Sequence, residues 1–143
     1  WDPEGYATLR AKTTTLIAYG EKDWNLEGFE SVLATGTCDV VGVDPGRAEG
    51  ITGFKKVTDR VEAYRRQANA HAWSSASVSA ASLAISFSSP ACKLFELKPL
   101  RNPMQHDLVP EPIEHIDGWV YPPSDRPGLG IDVQEDVVDR YRQ

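Results

Sequence analysis

Four side chains suited to acid–base or metal chemistry recur at a nearly constant interval along this chain. They are Glu21, Asp44, His71 and Glu96, and they are separated by 23, 27 and 25 residues. Carboxylate oxygens are the ligands that hard divalent cations prefer, and a histidine beside a carboxylate is suited to moving protons near neutral pH. If the fold brings the four together, they form one shared site for such chemistry.

Each of these residues stands at or near the end of a short apolar segment that is typical of a β-strand. Strands are predicted at Thr14–Tyr19, within CDVVGV (38–43), within ANAHAW (68–73) and within KLFELKPL (93–100). The interval between the four polar residues is therefore about one strand–helix unit.

Between these strands the apolar residues follow helical spacing. Helices are predicted within PEGYATLRAK (3–12), with Asp2 as its N-cap, within NLEGFESVLATG (25–36), within GITGFKKVTDRVEAYRRQ (50–67) and within SASVSAASLAISFSS (75–89). The third helix is expected to bury one face made of Ile51, Phe54, Val57, Val61 and Tyr64. Gly36 and Pro90 are expected to end the second and fourth helices.

This alternation predicts parallel βαβ units, and the nearly continuous apolar strands predict a sheet that is buried on both faces. In a parallel barrel the C-terminal ends of the strands converge on the active site, so the four polar side chains are expected at one place. Each has a simpler interpretation by itself. Glu21 or Asp44 could be a helix cap, His71 a structural histidine, and Glu96 an ion-pair partner of a neighbouring lysine. Because the four residues recur at the same place in successive strand–helix units, a shared site is favoured.

The length, net charge and cysteine content of the chain exclude several classes of protein. The chain has 143 residues, enough for one domain, and its net charge of -6 argues against a broad nucleic-acid-binding face. No apolar run approaches the roughly 18 residues that a membrane-spanning helix needs. The two cysteines, Cys38 and Cys92, do not form a disulfide or metal-ligand pattern, which indicates a reducing compartment, the cytoplasm. Because the chain opens on Trp1 and its single methionine is Met104, we expect it to be processed or to be part of a longer protein.

From about Pro99 the sequence becomes rich in proline and no longer alternates strand-like and helix-like segments. Most of the ten prolines lie in residues 99–143. This segment is predicted to be an irregular, extended tail with a short hairpin around DGWVYPPSDRPGLGIDV (117–133).

Five segments together resemble the C-terminal half of the enolase superfamily. They are LIAYGEKDW (16–24), DVVGVDPGRAEGITGFKKV (39–57), NAHAWSSAS (69–77), LFELK (94–98) and RPGLGIDVQEDVV (126–138). The most similar group is the mandelate racemase subgroup, and within it the sugar-acid dehydratases. The resemblance implies an α/β fold in which residues 1–98 are the C-terminal half of a TIM-type (β/α)₇β barrel, with four parallel strands and their helices. Residues 99–143 would be an extended, proline-rich tail that packs on the barrel and on a capping domain.

The resemblance also implies roles for single residues. Glu21 corresponds to a ligand of Mg²⁺, and His71 with Asp44 corresponds to the pair that removes the proton α to a substrate carboxylate. Glu96 corresponds to the acid that hydrogen-bonds that carboxylate. From its position two residues beyond His71, Trp73 is expected to wall the substrate pocket, with plain packing as the open alternative. The implied reaction is the dehydration of an acid sugar through an enolate that Mg²⁺ stabilises.

Half of the family pattern is absent from this chain, including other metal ligands, a second base and the capping domain. The expected partner is therefore an N-terminal half of the enzyme, on the same polypeptide or a separate one. A small-molecule carboxylate substrate and a homo-oligomer are also expected, without nucleic acid or membrane. Two alternatives stay open: a racemase or epimerase of a 2-hydroxy acid, and a non-catalytic subunit of the same fold.

Overall fold

The computed structural model describes residues 2–123 and 125–142, and its centre is a four-stranded sheet in which all neighbouring strands are parallel. The strands are β1 (Ala18–Tyr19), β2 (Val40–Val43), β3 (Gln67–His71) and β4 (Cys92–Glu96). The helices are α1 (Pro3–Arg10), α2 (Leu26–Ala34), α3 (Gly50–Ala63), α4 (Ala76–Ser88), α5 (Pro103–His106) and α6 (Glu135–Tyr141). The strand order is β1-β2-β3-β4, without the reversal of a doubly wound sheet, so the α/β class and the half-barrel arrangement are confirmed.

The core lies between the sheet and the helices that connect its strands. Alternate strand residues point toward the helices, and the fully buried set is Phe29, Val32, Leu33, Val41, Val43, Phe54, Val57, Val61, Ala68 and Ala70. The expected face of α3 is wrong at its two ends, because Ile51 is 50% exposed and Tyr64 is 38% exposed. The residues between those ends carry the packing of α3.

The first strand is much shorter than expected, and just before it the amide of Ile17 bonds to a side chain and not to a neighbouring strand. The amide of Ile17 donates to Asp39 Oδ2 at 2.9 Å, and the carbonyl of Ile17 accepts from the amides of Asp39 and Val40. Regular pairing begins only where Ala18 meets Val40. The prediction of a strand over Thr14–Tyr19 is therefore wrong in its first four residues.

The other strands shift by one to four residues from their expected ends, and one shift matters for the site. Strand β4 ends at Glu96, so this residue is the last of the strand and not an interior residue. The register between β3 and β4 is irregular between Ala68 and Asn69, after which Asn69 pairs with Leu94 and His71 pairs with Glu96. The last residues of these two strands therefore lie side by side.

The C-terminal segment contains two short helices that the sequence analysis did not predict. In the described part of the expected hairpin, the antiparallel pairing is one bridge, between Ile116 and Trp119. Helix α6 is held by Val137, which packs with Ala76 of α4 in a small second core. The expectation of an irregular, extended tail is therefore wrong for the residues of these two helices. In the part of the chain that the structure describes, no helix is long and apolar enough to cross a membrane.

Strands β1 and β4 are the two edges of the sheet, each with one neighbouring strand among the described residues. Beside β4 lies a group of apolar side chains that are each at least 60% exposed: Phe87, Leu94, Trp119 and Tyr121. We call these four residues the edge patch. They line a cavity of about 640 Å³. Contiguous exposed apolar surface of this kind is typical of an interaction site.

Candidate active site

His71 is the centre of the site and lies between two carboxylates. Its Nδ1 atom is 3.1 Å from Oδ2 of Asp44, and its Nε2 atom is 2.7 Å from Oε1 of Glu21. His71 is the last residue of β3 and is 9% exposed. The fold thus brings three of the four recurring polar residues into direct contact.

Asp44 is held in place by the turn that follows β2. Its Oδ1 atom accepts a hydrogen bond from the amide of Gly46 at 2.7 Å, and a side chain at position 46 would meet this oxygen at 3.0 Å. Helix α3 begins only at Gly50, after Glu49, so Asp44 does not cap that helix. With one oxygen held by the turn, the other oxygen is left for His71.

Glu21 reaches the site from the turn after β1, where Gly20 adopts φ 121°. At this φ a residue with a side chain would be strained, and the side chain would also meet the carbonyl of Gly42 at 3.0 Å. The Glu21 side chain is 59% exposed, in contrast to the 8% exposure of the Asp44 side chain. Glu21 is therefore the more accessible of the two carboxylates.

Asp23, two residues after Glu21, is a polar group that the sequence analysis missed. Burial raises the pKa of its carboxyl group. Its Oδ2 atom is buried and has no hydrogen-bond partner among the described residues. An acidic residue in a turn gives no signal in the sequence that it will be buried.

Trp73 covers one face of the central histidine. Its ring is stacked on His71 with centroids 5.4 Å apart and an interplanar angle of 24°. Its carbonyl accepts a hydrogen bond from Nζ of Lys98 at 3.3 Å, which links the loop after β3 to the loop after β4. Trp73 is 37% exposed, so part of the ring faces the solvent above the site.

Glu96 lies on the neighbouring strand, paired in register with His71. No hydrogen bond joins it to Glu21, Asp44 or His71 in residues 2–123 and 125–142. Its Oε2 atom instead accepts from Nδ2 of Asn69 at 3.0 Å. Asn69 was not singled out in the sequence, although its position two residues before His71 places it on the same face of β3.

The C-terminal segment supports the loop that carries His71 and Trp73. Nε2 of Gln105 in α5 donates to the carbonyl of Ala72 at 2.8 Å. The Ser79 hydroxyl lies 2.8 Å from the same carbonyl and 2.9 Å from Oε1 of Gln105. Both side chains are buried, and buried polar groups of this kind specify one arrangement when they are satisfied. Nothing in the sequence near Gln105 identifies Ala72 as its partner.

The residues present fit a magnesium ion only as a partial ligand set. Carboxylate oxygen is what Mg²⁺ prefers, and the exposed Glu21 carboxylate offers it. Both oxygens of Asp44 are already used by Gly46 and His71. Within the described ranges, no three His, Cys, Asp or Glu side chains lie together as a metal site. Of the two carboxylates that contact His71, Glu21 is therefore the one with an oxygen available to a cation.

A family model described as enolase C-terminal domain-like matches residues 1–137 of the chain. The chain is 30% identical to the D-galactonate dehydratase of Ralstonia nicotianae, over 94% of this chain and 37% of that protein. It is 25% identical to the D-galactarolactone cycloisomerase of Agrobacterium fabrum, over 97% of this chain and 39% of that protein.

The fold has solved counterparts as well. The crystal structure of a member of the enolase superfamily from Polaromonas sp. JS666 matches with a TM-score of 0.88 at 30% identity, over 99% of this chain and 38% of that one. The chain thus spans about two fifths of the length of these three proteins.

Proposed function

We propose that this chain, which belongs to the enolase C-terminal domain-like family of the enolase superfamily, forms the second half of the barrel of a Mg²⁺-dependent acid-sugar dehydratase. The observation that carries the proposal is the contact of 3.1 Å between Nδ1 of His71 and the buried carboxylate of Asp44. Relatives named as sugar-acid dehydratases support the reaction class.

The His71–Asp44 pair is suited to proton abstraction. A carboxylate only accepts hydrogen bonds, so contact with Asp44 favours the tautomer in which Nδ1 carries the hydrogen. The lone pair on Nε2 is then the one that takes a proton from substrate. In this structure Glu21 lies against Nε2, so its exposed side chain has to turn away before that atom can act.

When bound, Mg²⁺ would supply positive charge beside the enolate that forms after the α-proton is removed. Among the residues of this chain, Glu21 is the one that would hold it. Glu96 would donate a hydrogen bond to the substrate carboxylate from a protonated oxygen, and Trp73 would limit access of water to His71. Each of these residues stands at, or two residues beyond, the C-terminal end of a strand.

The proposed partner is the N-terminal half of the barrel, on the same polypeptide or a separate one. The backbone groups on the free sides of β1 and β4 need neighbouring strands, and the edge patch next to β4 needs an apolar cover. A half-barrel with strands at both edges satisfies both needs. The free thiols of Cys38 and Cys92 fit the cytoplasm as the compartment of the assembled enzyme.

The test uses the enzyme assembled from this chain and its N-terminal half, supplied with Mg²⁺ in D₂O. The substrates are D-gluconate, D-galactonate and D-mannonate, the acids that appear in the names of relatives. Proton NMR should show exchange of the α-proton and the appearance of a 2-keto-3-deoxy acid from at least one of them.

Other outcomes contradict the proposal in different ways. Exchange with inversion at C2 and without a keto acid would identify a racemase or epimerase. An assembled protein that binds no Mg²⁺ and exchanges no α-proton would be a non-catalytic subunit.

A further inference from the structure

Asn69 makes the one side-chain hydrogen bond to Glu96 that the described residues contain. Nδ2 of Asn69 donates to Oε2 of Glu96 at 3.0 Å. Oδ1 of the same amide is buried and has no hydrogen-bond partner in the described part of the chain. Leaving a buried acceptor unpaired is unfavourable, so the contact with Glu96 has to offset it.

We infer that Asn69 is a positioning residue that decides which oxygen of Glu96 carries the proton. The inference rests on the proposed function, in which Glu96 donates a hydrogen bond to the substrate carboxylate. An amide nitrogen has hydrogens and no available lone pair, so the oxygen that it contacts must be an acceptor. A carbonyl oxygen accepts better than a hydroxyl oxygen, so this contact favours Oε2 as the carbonyl oxygen and Oε1 as the oxygen that takes up a proton.

The position of Asn69 relates the distinction between the two oxygens of Glu96 to the binding of substrate. Asn69 pairs in register with Leu94 and His71 pairs with Glu96, so the amide approaches Glu96 from two residues deeper in the sheet. Among the described residues no hydrogen bond to Oε1 is present, so Oε1 is the oxygen of Glu96 left for bound substrate. A neutral Glu96 would thus present its hydroxyl group toward bound substrate and its carbonyl oxygen toward Asn69.

The alternative is that Asn69 only fills space beneath the site. A substitution at position 69 that replaces the amide donor with an acceptor of the same shape distinguishes the positioning role from the space-filling role. Asn69→Asp keeps the shape but places an acceptor beside Oε2, and this acceptor attracts the proton that Oε1 should carry. Asn69→Ala removes the donor without adding charge. Gln67→Ala is the matched control, since Gln67 lies on the same strand face, one residue pair farther from the strand end.

The first measurement is binding of 2-hydroxyisobutyrate by the assembled, Mg²⁺-loaded enzyme, since this carboxylate has no α-hydrogen and cannot react. We expect Asn69→Ala to weaken binding by about 5- to 10-fold, as for the loss of one hydrogen bond to a carboxyl group. Asn69→Asp should weaken it further, and Gln67→Ala should leave it within about 2-fold of the wild type. Asn69→Ala binding at wild-type affinity, with Glu96→Ala impaired, would overturn the inference.

A conservative variant adds a test that packing alone would not pass. In Glu96→Gln the side chain has its own acceptor and donor, and Asn69 should orient it with its NH₂ group toward the ligand. This variant should therefore keep most of the affinity for 2-hydroxyisobutyrate. Adding Asn69→Asp should reverse the orientation and remove that affinity. Equal affinity of the single and double variants would contradict the inference.

The second measurement needs no ligand and separates the inference from the proposed function. Infrared spectra of enzyme labelled with carboxyl-¹³C glutamate are recorded at a pH low enough to protonate Glu96, and the difference from Glu96→Gln assigns its C=O stretch. Loss of the hydrogen bond to Oε2 should move this band to higher wavenumber in Asn69→Ala, or in Asn69→Ser if the alanine variant does not fold. An unmoved band would overturn the inference. Failure of the wild type to bind the carboxylate, with the band shifted, would count against the proposed function alone.

Discussion

Nε2 of His71 lies 2.7 Å from Oε1 of Glu21, and the two side chains differ greatly in exposure, at 11% and 59%. Both contacts of the histidine ring are satisfied when each nitrogen carries a hydrogen and both carboxylates are ionised. A base needs a free lone pair, so the proposed activity requires the Glu21 side chain to move away from Nε2 of His71. The exposed end of this pair is the one that can move.

The first prediction concerns Glu21 as a metal ligand. Glu21→Gln in the assembled enzyme should weaken Mg²⁺ binding by about 10-fold or more, because a neutral amide oxygen replaces an anionic ligand. Its melting temperature should change little, since the side chain is 59% exposed at a strand end. Titration calorimetry measures the affinity, and Glu27→Gln, at an exposed position of helix α2, is the control. Unchanged Mg²⁺ affinity in Glu21→Gln would remove this residue from the metal site.

The second prediction concerns His71 as the base. His71→Asn keeps a hydrogen-bonding side chain that cannot take a proton at neutral pH. Turnover should fall by about 10²–10⁴-fold, and exchange of the substrate α-proton with D₂O should fall with it. A structural histidine would instead lose a buried partner, at a cost of about 1–3 kcal/mol in the free energy of unfolding. A variant that unfolds more easily yet exchanges at the wild-type rate would make His71 structural.

The third prediction concerns Asp44. Asp44→Asn can still accept from the amide of Gly46, but its NH₂ group would then face Nδ1 of His71. The imidazole would respond by carrying its hydrogen on Nε2, the atom that should accept the substrate proton. Turnover and α-proton exchange should both fall, though by less than in His71→Asn. Full activity in a correctly folded Asp44→Asn enzyme would show that the tautomer is set by another group.

The fourth prediction separates stability from activity at opposite ends of β2. Asp39, just before this strand, is 7% exposed and binds Arg10, Arg66 and the amide of Ile17. Asp39→Asn should lower the free energy of unfolding by about 2–4 kcal/mol, because a neutral amide replaces the buried carboxylate that these three donors share. Where folded, the enzyme should retain its turnover number. Urea denaturation measures the free energy of unfolding, and steady-state kinetics measures the turnover number. A loss of turnover without a loss of stability would contradict the prediction.

The fifth prediction concerns the thiols. Burial raises the pKa of both Cys38 and Cys92 in the folded chain. Unfolded thiols ionise above about pH 8.5 while the folded ones stay neutral, so their contribution lowers stability as the pH rises beyond that value. Iodoacetamide labelling followed by mass spectrometry should find both thiols slow to react at pH 8 until urea unfolds the protein. Fast labelling of Cys38 in folded protein would show that its burial is not maintained.

The order of strands and helices could be predicted because their apolar spacings are local properties of the sequence. The contact between His71 and Asp44 was also within reach, because parallel strands place their last residues along one edge. The roles assigned to these residues stay predictions until the variants are measured.

Other features depend on contacts that the sequence does not announce. β1 is only two residues long because the distant Asp39 side chain binds the backbone of Ile17. Helix α5 has four residues, too few to show a period, and it is held by the cap at Asn102. The bonds of Asn69 and Gln105 join side chains to partners 27 and 33 residues away, and no local pattern selects such partners.

The hydrogen bond from Gln105 to the carbonyl of Ala72 also determines when the site can be completed during protein synthesis. A ribosome completes His71 and the loop after it before α5 has been made. The loop cannot take its final support until Gln105 has left the exit tunnel and reached back to Ala72. Nascent chains arrested before that point would carry every proposed catalytic side chain of this chain and still lack the ordered loop that holds Trp73 against His71.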